Sequence, residues 1–108
     1  MKDKLKESID HLLSLKEGWD DADAKPIQKA TIDKALSYMP KILEKIKELW
    51  DLELKVEYFS PVQDGSIDIE LRKDPDYHIL FNIPPEKLTP TYSGQLTDET
   101  THYYGDLK

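Results

Sequence analysis

The sequence predicts an α+β protein in which two N-terminal helices precede an antiparallel sheet. Through position 50 the apolar residues recur every three or four residues, which is the period of an amphipathic helix. From Leu52 onward apolar and polar residues alternate, which is the period of a strand with one buried face. The helices are therefore expected to pack on one face of a meander of three to five strands.

The first helix is predicted by an apolar stripe that ends shortly before a glycine. The stripe falls at positions i, i+4, i+7 and i+8 and comprises Leu5, Ile9, Leu12 and Leu13. Gly18 follows the stripe and can adopt the left-handed conformation that often ends a helix.

The second, longer helix is predicted by a stripe that stays in phase for about five turns. Its members are Ile32, Ala35, Leu36, Met39, Leu43, Ile46 and Trp50. Pro40 lies within this stripe and removes the backbone hydrogen bond to the carbonyl of Leu36. Either the helix kinks near Pro40 or a new helix begins there. The continuity of the stripe favours the kink.

The first hairpin of the sheet is predicted by Asp64-Gly65, a strong two-residue turn signal. Its first strand is the alternating series Leu52 to Tyr58, whose apolar side chains are expected to face the core. The turn sets Val62 opposite Ile67. Pro61 would then interrupt the ladder because it has no N–H to donate, so we expect a bulge or a break there.

The remaining strands are predicted by further alternating series. A three-residue turn at 74–76 sets Leu71 opposite Ile79. Weaker series predict two short strands, at Tyr92 to Thr97 and at His102 to Leu107.

Length and composition indicate a single domain, 1–108, with a helical part at 1–50 and a sheet at 52–108. With 38% hydrophobic residues the chain can bury one modest core. The net charge of −7 disfavours direct binding to nucleic acid, because phosphates repel an acidic surface. There is no cysteine, no apolar run long enough to span a membrane and no apolar signal region. The expected location is the cytoplasm, without membrane contact.

An acidic corner joins the two helices in the segment KEGWDDAD. Trp19 and Asp20 are candidate binding residues, and Asp20, Asp21 and Asp23 could supply oxygen ligands to a divalent cation. The segment lacks the D-x-D-x-D-G spacing of calcium loops, so a structural interpretation is favoured. In that interpretation Trp19 fills the gap between the helices, and an aspartate accepts backbone hydrogen bonds in the turn.

The predicted registers place a polar set on the sheet face opposite the core. Its members are Asp68, Glu70, Arg72, His78 and Asn82. Carboxylates, an imidazole and a guanidinium grouped in this way can do acid–base chemistry. A solvated face with cross-strand ion pairs is the favoured alternative. Leu80 interrupts the set, which suggests that the C-terminal segment or a partner covers part of this face.

The C-terminal segment contains the densest polar-aromatic cluster. Its candidate binding residues are His102, Tyr103, Tyr104 and Asp106. Amphipathic aromatic side chains are enriched at interfaces, so the cluster could bind a ligand or a partner. In the structural alternative one tyrosine packs in the core and the other lies on the sheet surface. The sequence has no H-x-x-x-H pair, no G-x-S-x-G and no glycine-rich phosphate loop, so neither an enzymatic signature nor a cofactor is indicated.

Three segments together carry a resemblance. They are LKEGWDDADAKPI (15–27), GSIDIEL followed by ILFNIPP (65–71 and 79–85), and YYGD (103–106). The chain resembles a family of small prokaryotic proteins with a Gly-Trp-Asp helix corner, a Gly-Ser-Ile-Asp-Ile strand and a C-terminal Tyr-Tyr-Gly-Asp segment. The resemblance implies the fold and a prokaryotic origin, and it carries over no activity and no catalytic residue. Leu71 departs from the family pattern, which has tryptophan there, but it keeps an apolar core residue.

These observations favour a non-enzymatic cytoplasmic module, antitoxin-like or regulatory, that binds a protein partner or itself. The alternative is a metal-assisted hydrolase that uses Asp20, Asp21 and Asp23, or Asp68, Glu70 and His78 of the outer sheet face. A second alternative is an acidic mimic of nucleic acid, which ranks last because lysines interrupt the acidic residues.

Overall fold

The computed structural model describes residues 3–20, 22–96 and 102–107. Its elements, in chain order, are α1 (Lys4–Ser14), α2 (Lys29–Trp50), β1 (Ser60–Pro61), β2 (Ile67–Lys73), β3 (Tyr77–Ile83), β4 (Thr91–Leu96) and β5 (His102–Asp106). The strands form one antiparallel sheet in the order β1-β2-β3-β4-β5. The predicted α+β class, with helices before an antiparallel meander, is confirmed. Within the described ranges, neither helix is long and apolar enough to cross a membrane.

The hydrophobic core lies between the helices and one face of the sheet. The helices contribute Leu12, Ile32, Ala35, Ile42, Ile46 and Trp50. The long strands β2 and β3 contribute Ile67, Ile69, Ile79, Phe81 and Ile83. The buried strand residues fall at every second position, as the alternating pattern predicts. Each large apolar side chain buried in this way contributes about 1.5–3 kcal/mol relative to exposure.

Helix α1 begins at a side-chain cap and ends earlier than predicted. Asp3 Oδ1 accepts hydrogen bonds from the N–H groups of Leu5 (3.0 Å) and Lys6 (3.3 Å), which satisfies two donors of the first turn. The helix ends at Ser14, so the prediction that Gly18 ends it is wrong. Gly18 does have a left-handed φ of +75°, but in the turn that follows.

Helix α2 is continuous through Pro40, so no new helix begins there. Its buried stripe includes Ile42, which is 0% exposed and was not part of the predicted stripe. Leu36 and Leu43 are 40% and 39% exposed, and Leu13 of α1 is 50% exposed. These leucines lie at the margins of their stripes, where a helix with 3.6 residues per turn carries them away from the core.

The segment 51–59 forms no strand, which corrects the predicted strand Leu52 to Tyr58. It is tied to α1, because the N–H of Phe59 donates to the buried hydroxyl of Ser8 at 3.1 Å. The alternation also breaks here: Phe59 is fully buried, whereas Tyr58, which was predicted to face the core, is 53% exposed. A hydrogen bond to a helix side chain thus takes the place of a sheet ladder.

The first hairpin is offset by one residue from the predicted register, because its turn has three residues, 63–65, instead of two. Pro61 rather than Val62 lies opposite Ile67. The N–H of Gly65 donates to the carbonyl of Val62 at 3.0 Å, and Gly65 has a φ of +89°. A type I turn followed by a left-handed glycine is a common three-residue hairpin. The break expected near Pro61 is present, since β1 has only two residues.

The other registers agree with the sequence. Leu71 pairs with Ile79 across the three-residue turn at 74–76, as predicted. Short strands occur where the weaker series predicted them, at β4 and β5, and Thr97 lies outside the described residues. Strand β5 ends at Asp106, one residue before its predicted end.

Lys34 ties α2 to the loop between β3 and β4. Its Nζ donates to the carbonyl oxygens of Pro84 (2.8 Å), Glu86 (3.1 Å) and Leu88 (2.6 Å). Desolvation lowers the pKa of the Lys34 ammonium from its usual value, which partly offsets these bonds. Hydrogen bonds from a charged donor are stronger than neutral ones. We call this arrangement the Lys34 clamp; it holds the loop that leads into β4.

Candidate functional site

Three rows of four side chains point away from the helices and form what we call the outer face. The rows are Arg72, His78, Gln95 and His102; Glu70, Leu80, Ser93 and Tyr104; and Asp68, Asn82, Thr91 and Asp106. Neighbouring strands in a sheet lie about 5 Å apart, so adjacent members of a row are in contact range. No described element covers this face, because both helices pack on the opposite one.

The outer face unites two sets of residues that the sequence predicted separately. The first set is Asp68, Glu70, Arg72, His78 and Asn82, and the second contributes His102, Tyr104 and Asp106. Thr91, Ser93 and Gln95 of β4 lie between the two sets and are not among the predicted residues. The alternation of β4 would have identified them, but only if its pairing with β3 and β5 had been known.

A histidine and a glutamate pair diagonally on this face. His78 Nε2 and Glu70 Oε2 are hydrogen-bonded at 2.9 Å. Arg72 lies opposite His78, as predicted, but its Nε donates to Asp74 Oδ1 at 3.1 Å, which raises the pKa of the guanidinium. The side chains of His78 and Glu70 are 50% and 52% exposed, so their pairing adds little to stability.

A shallow depression of about 270 Å³ opens beside this pair. Its lining includes Glu70, His78, Leu80, Ser93, Gln95 and His102. A carboxylate that orients an imidazole can help that imidazole to act as a general base. No hydroxyl group of the described residues, however, hydrogen-bonds to His78. In the described part of the chain, no three carboxylates or imidazoles converge closely enough to hold a metal ion. The depression thus combines a carboxylate–imidazole pair with the apolar side chain of Leu80.

The two tyrosines of β5 point to opposite faces of the sheet. Tyr103 packs edge-on against Trp50 of α2, with ring centroids 5.9 Å apart. Tyr104 lies on the outer face and is 77% exposed. Its ring is 6.0 Å from that of His102, centroid to centroid. The protein therefore displays an aromatic pair at the margin of the sheet.

Strand β5 is an edge strand, and alternate residues along it direct their backbone groups away from the sheet. The N–H of Leu107 donates to the carbonyl of Pro90 at 2.7 Å. This bond shows which residues of the strand direct their backbone groups toward β4. Bonding alternates from residue to residue along an antiparallel strand, so the odd-numbered residues of β5 bond to β4. The even-numbered residues direct N–H and C=O to the free edge, where no described strand pairs with them. Those residues are His102, Tyr104 and Asp106.

The acidic corner is held together by its own hydrogen bonds. Asp20 Oδ1 accepts from the N–H groups of Ala22 (3.0 Å) and Ala24 (3.2 Å). Asp20 Oδ2 accepts from Gln63 Nε2 at 2.6 Å. Both carboxylate oxygens are thus occupied by protein donors, which favours the structural interpretation of the corner.

Trp19 is only partly buried and lies outside the hydrophobic core, so it does not fill the gap between the helices as predicted. Its indole Nε1 instead donates to the carbonyl of Lys25 at 2.8 Å. Of the other carboxylates considered as cation ligands, Asp23 is exposed and Asp21 lies outside the described residues. The described part of the corner is a hydrogen-bonded turn.

Comparison with known proteins finds no family model, no curated protein and no solved structure that matches this chain. The resemblance to a family of small prokaryotic proteins therefore stays a prediction. The features of the protein that bear on its function are the outer face and the free edge of β5.

Proposed function

We propose that this protein is a non-enzymatic interaction module of the cytoplasm that binds a protein partner along β5 and the adjoining outer face. The observation that carries the proposal is the free edge of β5, whose even-numbered residues have no strand partner in the described part of the chain. An extended segment of a partner can add to such an edge as a further strand and satisfy these groups. A regulatory or antitoxin-like protein would use this pairing to hold its target.

The side chains beside the edge support a protein contact. Tyr104 is 77% exposed, and tyrosine offers a large contact area with few rotatable bonds to order. Leu80 lies two strands inward in the same row and forms part of the depression. A partner that covered Tyr104 would extend naturally over Leu80, whose apolar side chain stands among polar neighbours.

The metal-assisted hydrolase gains no support from the described geometry, since Asp20 is occupied by protein donors and Glu70 is hydrogen-bonded to His78. A thermal-shift experiment separates the two functions, because an ion that binds only the native state must raise its Tm. We expect no rise with Mg²⁺, Mn²⁺, Ca²⁺ or Zn²⁺. A rise that Asp20→Ala or Glu70→Ala abolishes would replace our proposal with the hydrolase.

The proposal is tested by using the protein as bait in an extract of its host. The variant Tyr104→Pro removes an N–H that points away from β4, so it should abolish capture while the fold is kept. Tyr58→Ser is the matched control, because Tyr58 is also an exposed tyrosine (53%) but belongs to another part of the surface. It should capture the same partner as the wild type. Capture that survives Tyr104→Pro, or a wild type that binds neither itself nor any partner, would contradict the proposal.

A further inference from the structure

The exposed edge of β5 is self-complementary. We infer that the segment bound along β5 is β5 of a second copy of this chain, paired antiparallel about a twofold axis at Tyr104. The inference names the partner of the proposed function and therefore rests on it.

The backbone of β5 determines the register of this pairing. In an isologous pair, residue i of one copy lies opposite residue j of the other, with the sum of i and j constant. An axis at Tyr104 sets Tyr104 opposite itself and His102 opposite Asp106 of the second copy. These are the residues that direct N–H and C=O outward, so each of the three residue pairs exchanges two hydrogen bonds. An axis at His102 or at Asp106 would pair fewer residues of the strand.

The side chains fit the same register. All three even-numbered residues lie on the outer face, so the contacts they make across the junction share one side of the joined sheet. The imidazole of His102 meets the carboxylate of Asp106 of the second copy, and symmetry repeats this contact on the other side of the axis. The two Tyr104 rings meet at the axis. Polar pairs of this kind and aromatic pairs are favourable across antiparallel strands.

The opposite edge of the sheet does not offer an equivalent site. Strand β1 has two residues, and one of them is Pro61, which cannot donate and is typical of a protected edge. Strand β5 has five residues, none of which is lysine or proline. Pairing at β5 joins two five-stranded sheets into one continuous sheet and extends the outer face across both copies.

The first test is the oligomeric state of the purified protein, measured by sedimentation equilibrium or by light scattering. We expect the wild type to show twice the monomer mass at high concentration. Tyr104→Pro should be monomeric, with an unchanged circular dichroism spectrum because its lost N–H does not belong to the β4–β5 ladder. Tyr58→Ser should dimerise like the wild type. A monomeric wild type, or a dimer that Tyr104→Pro leaves intact, overturns the inference.

The second test addresses the register by exchanging charges across the junction. His102→Asp places two carboxylates opposite each other twice in the dimer and should weaken dimerisation several-fold. Adding Asp106→Lys to that variant sets an aspartate opposite a lysine and should restore dimerisation. If the double variant dimerises no better than His102→Asp alone, the register centred on Tyr104 is wrong.

Failure of this inference is distinguishable from failure of the proposed function. A monomeric wild type that still captures another protein through an edge sensitive to Tyr104→Pro keeps the interaction module and rejects the second copy. A wild type that neither self-associates nor captures a partner rejects both.

Discussion

Gly94 of β4 lies directly beneath the indole of Trp50 at the end of α2. A Cβ atom at position 94 would come within 2.6 Å of Trp50 Cζ2 and within 2.9 Å of Ile79 Cγ1. Trp50 is 4% exposed, so its ring has little room to move away. The missing side chain at Gly94 is what allows the last turn of α2 to approach the sheet.

Gly94→Ala is therefore expected to lower the free energy of unfolding by about 1–3 kcal/mol through overpacking. Urea denaturation followed by circular dichroism measures the loss. Gly105→Ala is the control, because its Cβ would meet mainly the hydroxyl end of the Tyr92 side chain, at 2.9 Å, and that side chain can shift. Combining Gly94→Ala with Trp50→Phe removes Cζ2, so the two losses should be less than additive. Equal losses at the two glycines would contradict this account.

Phe59 and Tyr58 test the break in alternation before β1. Phe59→Ala should cost about 3–5 kcal/mol, because it removes a fully buried ring from the core. Tyr58→Ala should cost far less, since that ring is 53% exposed. Chemical denaturation of the two variants checks the order. A larger loss of stability in Tyr58→Ala than in Phe59→Ala would instead support the continuous strand that the alternating pattern predicts.

The Lys34 clamp predicts that the stability of the β3–β4 loop depends strongly on one ammonium group. Lys34→Met keeps most of the aliphatic side chain but leaves three carbonyl oxygens without their donor, which should cost about 1–3 kcal/mol. Amide hydrogen exchange in 84–90 should also accelerate. Lys29→Met is the matched control on the same helix, since the exposed pair of Lys29 with Asp33 contributes little. Similar effects in both variants would show that the clamp does not hold the loop.

Asp64 makes the first hairpin sensitive to acid. Its Oδ1 accepts hydrogen bonds from the hydroxyl (2.6 Å) and the N–H (2.9 Å) of Ser66, and these bonds lower the pKa of the carboxyl below its usual 3.8. The stabilisation is therefore complete above the unfolded pKa and is lost as the pH falls through the folded pKa.

Asp64→Asn should accordingly show a shallower loss of stability than the wild type as the pH falls below about 4. The measurement is the free energy of unfolding as a function of pH. Asp10→Asn, at an exposed position of α1, is the control for the change in charge. If the free energy of unfolding fell equally steeply with pH in the wild type and in Asp64→Asn, Asp64 would not be the source of the acid sensitivity.

The parts of the fold that were predicted correctly are those whose geometry is set by neighbouring residues. The pairing of Leu71 with Ile79 follows from alternation on both sides of a short turn, and both signals lie within one segment of the chain. The segment 51–59 also alternates, but the partner of Phe59 is Ser8, which is remote in sequence. No local pattern reports such a tertiary hydrogen bond.

For the same reason, the sequence predicts the residues of the candidate site as two separate sets. Alternation placed Glu70 and His78 on one face of the sheet, and composition singled out His102 and Tyr104 in the C-terminal cluster. Their union on the outer face depends on the pairing of β4 with both neighbours. The sequence has no turn signal from which the pairing of β4 with β3 and β5 could be predicted. The common surface therefore follows only from the structure.

The two tryptophans occupy contrasting environments, and this gives the protein a pair of built-in optical reporters. The indole of Trp50 is enclosed by the core and should emit at short wavelength, whereas that of Trp19 at the acidic corner is partly hydrated and should emit further to the red. Replacing Trp50 with phenylalanine leaves a fluorophore that reports on the corner alone. Loosening of the link between α1 and α2 can then be followed separately from melting of the interior.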